Sequence, residues 1–192
     1  MIEENFLDNL FSKAKLSVAE KERVVNSFTK VVFQKNDFLF REGLTLNHYY
    51  FLEKGFVRSF TYDYEGNEVT TKFYSESAIV IDWASFMLRT PTQEYFQANT
   101  DCVCWCLEFQ NFQTLFNSIK GFREMGRARL TNSYFELKKN RLAIISQTAK
   151  ERYLLLIKEH PEIINNASLK HIATYLGVTD TSLSRIRKEI MP

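Results

Sequence analysis

The sequence predicts an α+β fold: an antiparallel β-sandwich or barrel-like roll, then a long helix, then a basic helical tail. Three observations carry this. Short β-branched and aromatic runs fill residues 31–108, punctuated by Gly43, Gly55 and Gly66 at spacings of 12 and 11, and regularly spaced short strands with turn glycines mark an antiparallel roll. From Phe122 to Ser146 there is no proline and glycine only at Gly126, so a helix can run without a break. Charge changes sign along the chain: residues 1–120 carry 12 Lys+Arg against 16 Asp+Glu, and residues 121–192 carry 13 against 7.

Composition bounds the class. The chain has 192 residues, 45% hydrophobic and 25% charged, enough apolar surface for a globular core and for one domain or two small ones. No apolar run reaches the roughly 18 residues that span a bilayer, and Met1–Glu4 lacks the basic flank of a secretory signal. Three cysteines in no scaffold spacing fit a reducing cytoplasm better than a disulfide framework. Fifteen of the 17 Phe precede Gly121. A Phe-rich, slightly acidic body with a basic tail suggests a tail that meets a polyanion, although long surface helices also favour Lys and Arg.

The elements follow in order. Phe6, Leu7, Leu10 and Phe11 share one helix face, and Ser17 with Glu20 forms a capping-box pattern for a second helix. Strands are expected at VVFQ (31–34), DFLF (37–40), YYFLE (49–53), FVRSFTY (56–62), EVTTKFY (68–74), YFQAN (95–99) and CVCWCLE (102–108), with DYEGNE (63–68) as a hairpin tip. FQNFQTLF (109–116) is amphipathic. Leu130, Tyr134, Leu137, Arg141 and Ile144 step by 4, 3, 4, 3 along the long helix, which is a coiled-coil seam. A second copy of the chain would bury that face; the helix could instead lie on its own β-body. KERYLLLIKEHPEI (150–163) predicts a helix with Tyr153, Leu154, Leu156 and Ile157 inward, stopped before Pro161, and Ser146–Thr148 reads as the hinge before it.

The stretch LKHIATYLGVTDTSLSRIRK (169–188) is the most specific part of the chain. Two short helices that cross steeply need a small residue at their approach, and Ala173 is there. Gly177, four residues on, permits a left-handed turn. Ile172, Leu176, Val178, Leu183 and Ile186 fill the wedge between helices, Thr179 or Asp180 can cap the second helix, and no proline interrupts either. This is a helix-turn-helix pattern. Its second helix would lie in a major groove with its N-terminal turn at the base edges. Thr179, Asp180, Thr181, Ser184 and Arg185 project from that end, with Arg185 the best candidate for a bidentate contact to guanine. Ser168, Lys170, His171, Arg187 and Lys188 suit the phosphates.

In this order the chain resembles the Crp/Fnr superfamily of bacterial transcription regulators. The resemblance covers about residues 20–190. It rests on DFLFREG (37–43), YYFLEKGFVRSF (49–60), the YEGNE tip, SAIVIDWASFM (77–87), FQANTDCVCWCLE (96–108) and the 169–188 pattern. It implies an α+β chain of three parts. Residues 1–120 would be an N-terminal antiparallel β-roll (a double-stranded β-helix, cyclic-nucleotide-binding-like). Residues 121–147 would be a long dimerisation helix and hinge, and residues 148–192 a C-terminal three-helix helix-turn-helix domain lacking a full wing. Implied partners are double-stranded DNA, a second copy of the chain, RNA polymerase and a small-molecule effector, with no membrane and no resident cofactor.

The departures from the family pattern matter as much. Nucleotide-binding members carry Gly-Glu and, about ten residues on, Arg-Ser, whose arginine neutralises the cyclic phosphate. Here Ile81-Asp82 and Thr92-Gln93 fall on those places, so binding of cyclic AMP in the family's manner is not expected. Asp82, Trp83, Thr92 and Gln93 are the places to look for another effector. The iron–sulfur type needs four thiolates with an N-terminal cluster, and residues 1–101 contain no cysteine. Cys102, Cys104 and Cys106 alternate onto one strand face, as a redox or metal site or as small buried hydrophobes. The histidines show no metal-ligand spacing, and nothing supports haem at His48, read as a loop residue. No Gly-rich phosphate loop or nucleophile pattern suggests an enzyme. The alternative to a DNA-binding regulator is a small-molecule sensor or protein-interaction roll with a vestigial tail.

Overall fold

The structure, a computed structural model, describes residues 6–190; the expectations drawn at Met1–Glu4 and beyond Ile190 lie outside them. Helices α1 (Phe6–Leu10) and α2 (Val18–Val25) open the chain. The capping box forms: Ser17 Oγ accepts from the Glu20 N–H at 3.3 Å, and the Glu20 carboxylate accepts from the Ser17 N–H at 2.8 Å. Leu7 and Phe11 turn fully inward.

Eight strands follow: β1 (Thr29–Phe33), β2 (Phe38–Phe40), β3 (His48–Lys54), β4 (Val57–Tyr62), β5 (Glu68–Tyr74), β6 (Ile79–Val80), β7 (Tyr95–Ala98) and β8 (Cys102–Glu108), with helix α3 (Trp83–Leu88) between β6 and β7. They form two four-stranded antiparallel sheets, ordered β1-β8-β3-β6 and β2-β7-β4-β5. All seven strands read from the sequence are present. The two-residue β6 and the α3 helix were not read, because neither is long enough to show a period. His48 is not in a loop but opens β3, where its Nε2 lies 2.7 Å from the Tyr50 hydroxyl. The hairpin tip closes as expected, with Gly66 at φ 82° and the Asp63 carboxylate accepting the backbone N–H groups of Glu65 and Asn67.

The phenylalanines explain why this body holds together. One cluster runs between the sheets through Phe40, Tyr50, Leu52, Val57 and Phe96, and continues beneath the helices through Phe11, Phe51, Phe112 and Phe122. Edge-on ring contacts recur through it, among them Phe11–Phe51 at 6.0 Å and Phe40–Phe96 at 5.3 Å. Each such ring contributes about 1.5–3 kcal/mol by leaving water.

After α4 (Phe109–Ser118) the chain turns at Ile119 into α5 (Lys120–Ser146), a helix of 27 residues. Four helices follow: α6 (Ala149–Glu159), α7 (Pro161–Asn166), α8 (Leu169–Tyr175) and α9 (Asp180–Ile190). The tail thus has one helix more than expected: Pro161 ends α6 and then starts α7 from its first position, where its missing N–H costs nothing. Only Gln147 separates α5 from Thr148, the cap of α6. Tyr153 and Leu156 are buried and Ile157 half-buried, but Leu154 points to solvent, correcting its inward reading. No helix among the described residues is long and apolar enough to cross a membrane.

Candidate nucleic-acid interface

The α8–α9 pair is built as its residue pattern requires. Ser168 caps α8, its hydroxyl accepting from the His171 N–H at 3.2 Å. Ala173 has no exposed surface, so α9 can approach closely, and Ile172, Leu176, Leu183 and Ile186 are buried around it with Val178 packed alongside. The chain reverses at Gly177, φ 68°, where a side chain would be strained. Thr179, rather than Asp180, caps α9: its Oγ accepts from the Ser182 N–H at 3.2 Å, and its carbonyl accepts from Leu183 at 3.0 Å.

Burial then sorts the candidate residues. Thr179, Asp180, Thr181, Ser184, Arg185 and Lys188 are exposed, and so are Ser168 and Lys170 on the neighbouring helix. Leu183 and Ile186 hold the opposite face of α9 in the core, so its leading end stands free in water. Arg187 is half-buried, with its Nε buried and without a hydrogen-bond partner. His171 does not join the outward set. It is half-buried, facing Arg58 of β4 and Glu68 of β5; burial first, then the Arg58 charge, push the imidazole down to about 4.

The seam residues on α5 are also in water. Leu130, Tyr134, Leu137 and Ile144 are each 45% or more exposed, with Arg141 exposed among them. The helix does not lie down along the β-body beyond its first turns. Phe135, Leu142 and Ile145 widen this apolar surface on one flank, a feature the 4, 3, 4, 3 pattern did not include.

The four candidate effector residues take different structural roles. Asp82 is the cap of α3, its carboxylate accepting from the Ala84 and Ser85 N–H groups. Trp83 packs on Tyr49 and Phe86, under the helices. Thr92 is buried and bonded through its backbone to Gly43 and Leu44, while Gln93 is exposed, its carbonyl accepting from the Thr61 hydroxyl at 3.1 Å. Other polar groups, the buried Ser59 of β4, the exposed Thr71 of β5 and the half-buried Glu94 just before β7, are ones the sequence did not single out. Ser59 and Thr71 hydroxyls meet at 2.7 Å on the face of β4 that carries Val57, and Thr71 donates to the Glu94 carboxylate. Burial raises the Glu94 carboxyl above its usual range, and the negative charge of Asp82 adds to this. Arg58 is the arginine buried in β4, yet it lies on the opposite face, bonded to Glu68 at 2.6 Å and Gln97 at 3.1 Å. The alternation of β4 put an arginine between two buried neighbours, and that was the available signal.

Cys102 and Cys104 are buried and Cys106 is half-buried, all three free thiols. Burial pushes the Cys104 thiol up to about 12 and Cys106 to about 11, so they stay protonated at neutral pH and unreactive.

Comparison with known proteins places this geometry. Residues 30–118 match the family model of the Cyclic nucleotide-binding domain. A search of curated protein sequences finds no match. Among solved structures the chain is similar to the c-di-GMP responsive regulator CLP of Xanthomonas campestris, with TM-score 0.71, 14% identity and 91% of each chain covered. It is similar to FixK2 of Bradyrhizobium japonicum, with TM-score 0.73 and 16% identity over 85% of this chain and 84% of that one. A third is a putative regulator of the Crp/Fnr family from Eubacterium rectale, with TM-score 0.72 and 13% identity over 91% and 83%.

Proposed function

We propose that this chain, which has the fold of the Crp/Fnr transcription regulators and carries a cyclic nucleotide-binding-type domain over residues 30–118, is a dimeric, sequence-specific DNA-binding regulator. In this reading residues 1–120 sense, 121–147 pair two copies, and 148–192 read DNA as a helix-turn-helix. The observation that carries it is the free leading end of α9. Thr179, Asp180, Thr181, Ser184 and Arg185 stand in water there, while the far side of the same helix is locked into a core. Such an end fits a major groove, with Arg185 forked onto guanine and Lys170, Arg187 and Lys188 toward phosphates.

Pairing through Leu130, Tyr134, Leu137, Arg141 and Ile144 would give a two-fold axis and a palindromic site with half-sites about one helical turn apart. A regulator so placed has RNA polymerase as its natural downstream partner. As for the effector, a cyclic nucleotide does not fit the roll. The acidic group near Ser59 and Thr71 is the Glu94 carboxyl, which would oppose a phosphate there, and the buried arginine of β4, Arg58, lies on the other face of the strand, committed to Glu68. An effector for this roll is a neutral or cationic small molecule.

The experiment is selection of bound sites from random DNA by the full chain. A palindrome with one-turn spacing is the expected product; absence of enrichment at low salt, with the protein dimeric, would reject the reading. Arg185→Ala should cost about 1–3 kcal/mol at one base position and relax preference there. Calorimetry with cyclic AMP and cyclic GMP should show no heat of binding, and micromolar binding of either would overturn the account of the roll.

A further inference from the structure

The C-terminal helices do not close their core alone. Phe56, just before β4, and Phe73 of β5 belong to the same buried cluster as Tyr153, Leu156, Ile172 and Leu183, and the Phe73 ring lies 5.2 Å from that of Tyr175. Next to this apolar seal lies a polar corner. β5 is an edge strand, and the N–H of Thr70 that would otherwise face outward donates to Thr174 Oγ of α8 at 3.2 Å. The corner is incompletely satisfied. Arg58 is 3% exposed, and its Nε and Nη1 are buried without a hydrogen-bond partner; the same holds for Thr70 Oγ and for His171 Nδ1. Buried donors left in this state weaken the contact they sit in.

We propose that this corner is an acid-sensitive latch between the roll and the reading helices, with His171 as its trigger. While the imidazole is uncharged, α8 seats on β5. Once it is protonated, a second cation lies against the buried Arg58 guanidinium and α8 comes away. The charges facing His171 are Arg58 from β4, Glu68 from β5, Lys170 on its own helix and Asp180 from the first turn of α9. Glu68, bonded to Arg58 at 2.6 Å, and Asp180, exposed to water, both favour an imidazolium, but each acts on it less than burial and the Arg58 charge, which oppose it.

The pH window follows from the direction of the shift. The seated imidazole is held down to about 4 from its ordinary 6.5. The seated state is therefore at full strength above about 6.5 and weakens as pH falls toward about 4, with seating lost by up to about tenfold per pH unit. The latch is an intramolecular contact and its test needs no DNA, so its failure and the failure of the regulator reading are separate results.

The test is hydrogen exchange on the full chain from pH 7.5 to 4.5, each amide corrected for its intrinsic rate and β8 amides serving as the reference for global unfolding. Protection of the Thr70 amide and of α8 should fall by tens of fold across this range while β8 holds. His171→Gln should keep the Thr70 protection flat with pH. His171→Lys should lack it already at pH 7.5; should that variant not fold, the comparison of His171→Gln with the parent still decides. Flat protection in the parent, or a His171→Gln curve that follows the parent's, would overturn the latch.

Discussion

Gly55 and Gly177 both sit at positive φ, but substitution should treat them differently. A Cβ at Gly55, φ 109°, would lie 2.5 Å from the Asp101 carbonyl oxygen and 2.6 Å from Cys102 Sγ, whereas at Gly177, φ 68°, nothing lies within 4 Å. Gly177→Ala should therefore cost only the left-handed penalty of about 1–2 kcal/mol. Gly55→Ala adds backbone displacement and should cost about 3 kcal/mol or more. Urea unfolding of both variants checks this, and equal losses would contradict it. What was legible at this scale was local. Ala173, Gly177 and a cap at Thr179 or Asp180 depend on residues within one turn, so spacing exposes them, while the choice of Thr179 waits on the structure. His171 was assigned outward because its helix face is set by β5, about a hundred residues away, and no local pattern carries that information. Glu94 and Arg58 were missed for the same reason: which strand face a side chain takes becomes chemistry only when the other sheet and α8 are in place.

Helices and strands were more legible than their contacts. The α5 span followed from uninterrupted helix formers, and the strands from alternation between turn glycines; α3, β6 and α7 escaped because two to six residues show no period. Two predictions belong to this scale. Thr148 caps α6 through the Glu151 N–H, and Glu151 answers to the Thr148 N–H at 2.8 Å. Thr148→Ala should destabilise by about 1 kcal/mol, read as a drop in melting temperature with little change in overall helicity. On α5, Leu137 is 69% exposed in the single chain. If the seam pairs two copies, Leu137→Glu places like charges across it and should convert dimer to monomer in sedimentation, with melting of the single chain nearly unchanged because the residue touches little of its own core. A mutant that stays dimeric would move the pairing surface elsewhere, with Phe135, Leu142 and Ile145 the next to test.

For the whole molecule, the two buried clusters predict how it unfolds. Were α6–α9 a separately folded unit on a hinge at Gln147, they would unfold in their own transition, and a change in the roll would leave them as they were. Instead the roll lends Phe56 and Phe73 to their cluster, the two rings stacked at 5.6 Å, and a four-helix unit of about 40 residues has too little core to be stable alone. Unfolding at pH 7.5 should therefore be one transition, with the amides of α6 and α8 exchanging alongside those of β4 and β5. Phe73→Ala sharpens the expectation. Removing the ring leaves a cavity between the roll and the C-terminal helices and should cost about 3 kcal/mol. Because the lost contacts lie on both sides, protection should fall in α6 and α8 as much as in β5. Loss confined to β5, or a second transition for the C-terminal helices in the parent, would mean that they stand alone and that Phe73 serves only the roll. Joint loss would mean that the leading end of α9 is oriented by the sheet behind it, so that any ligand shifting β4 or β5 moves the reading helix without passing through α5.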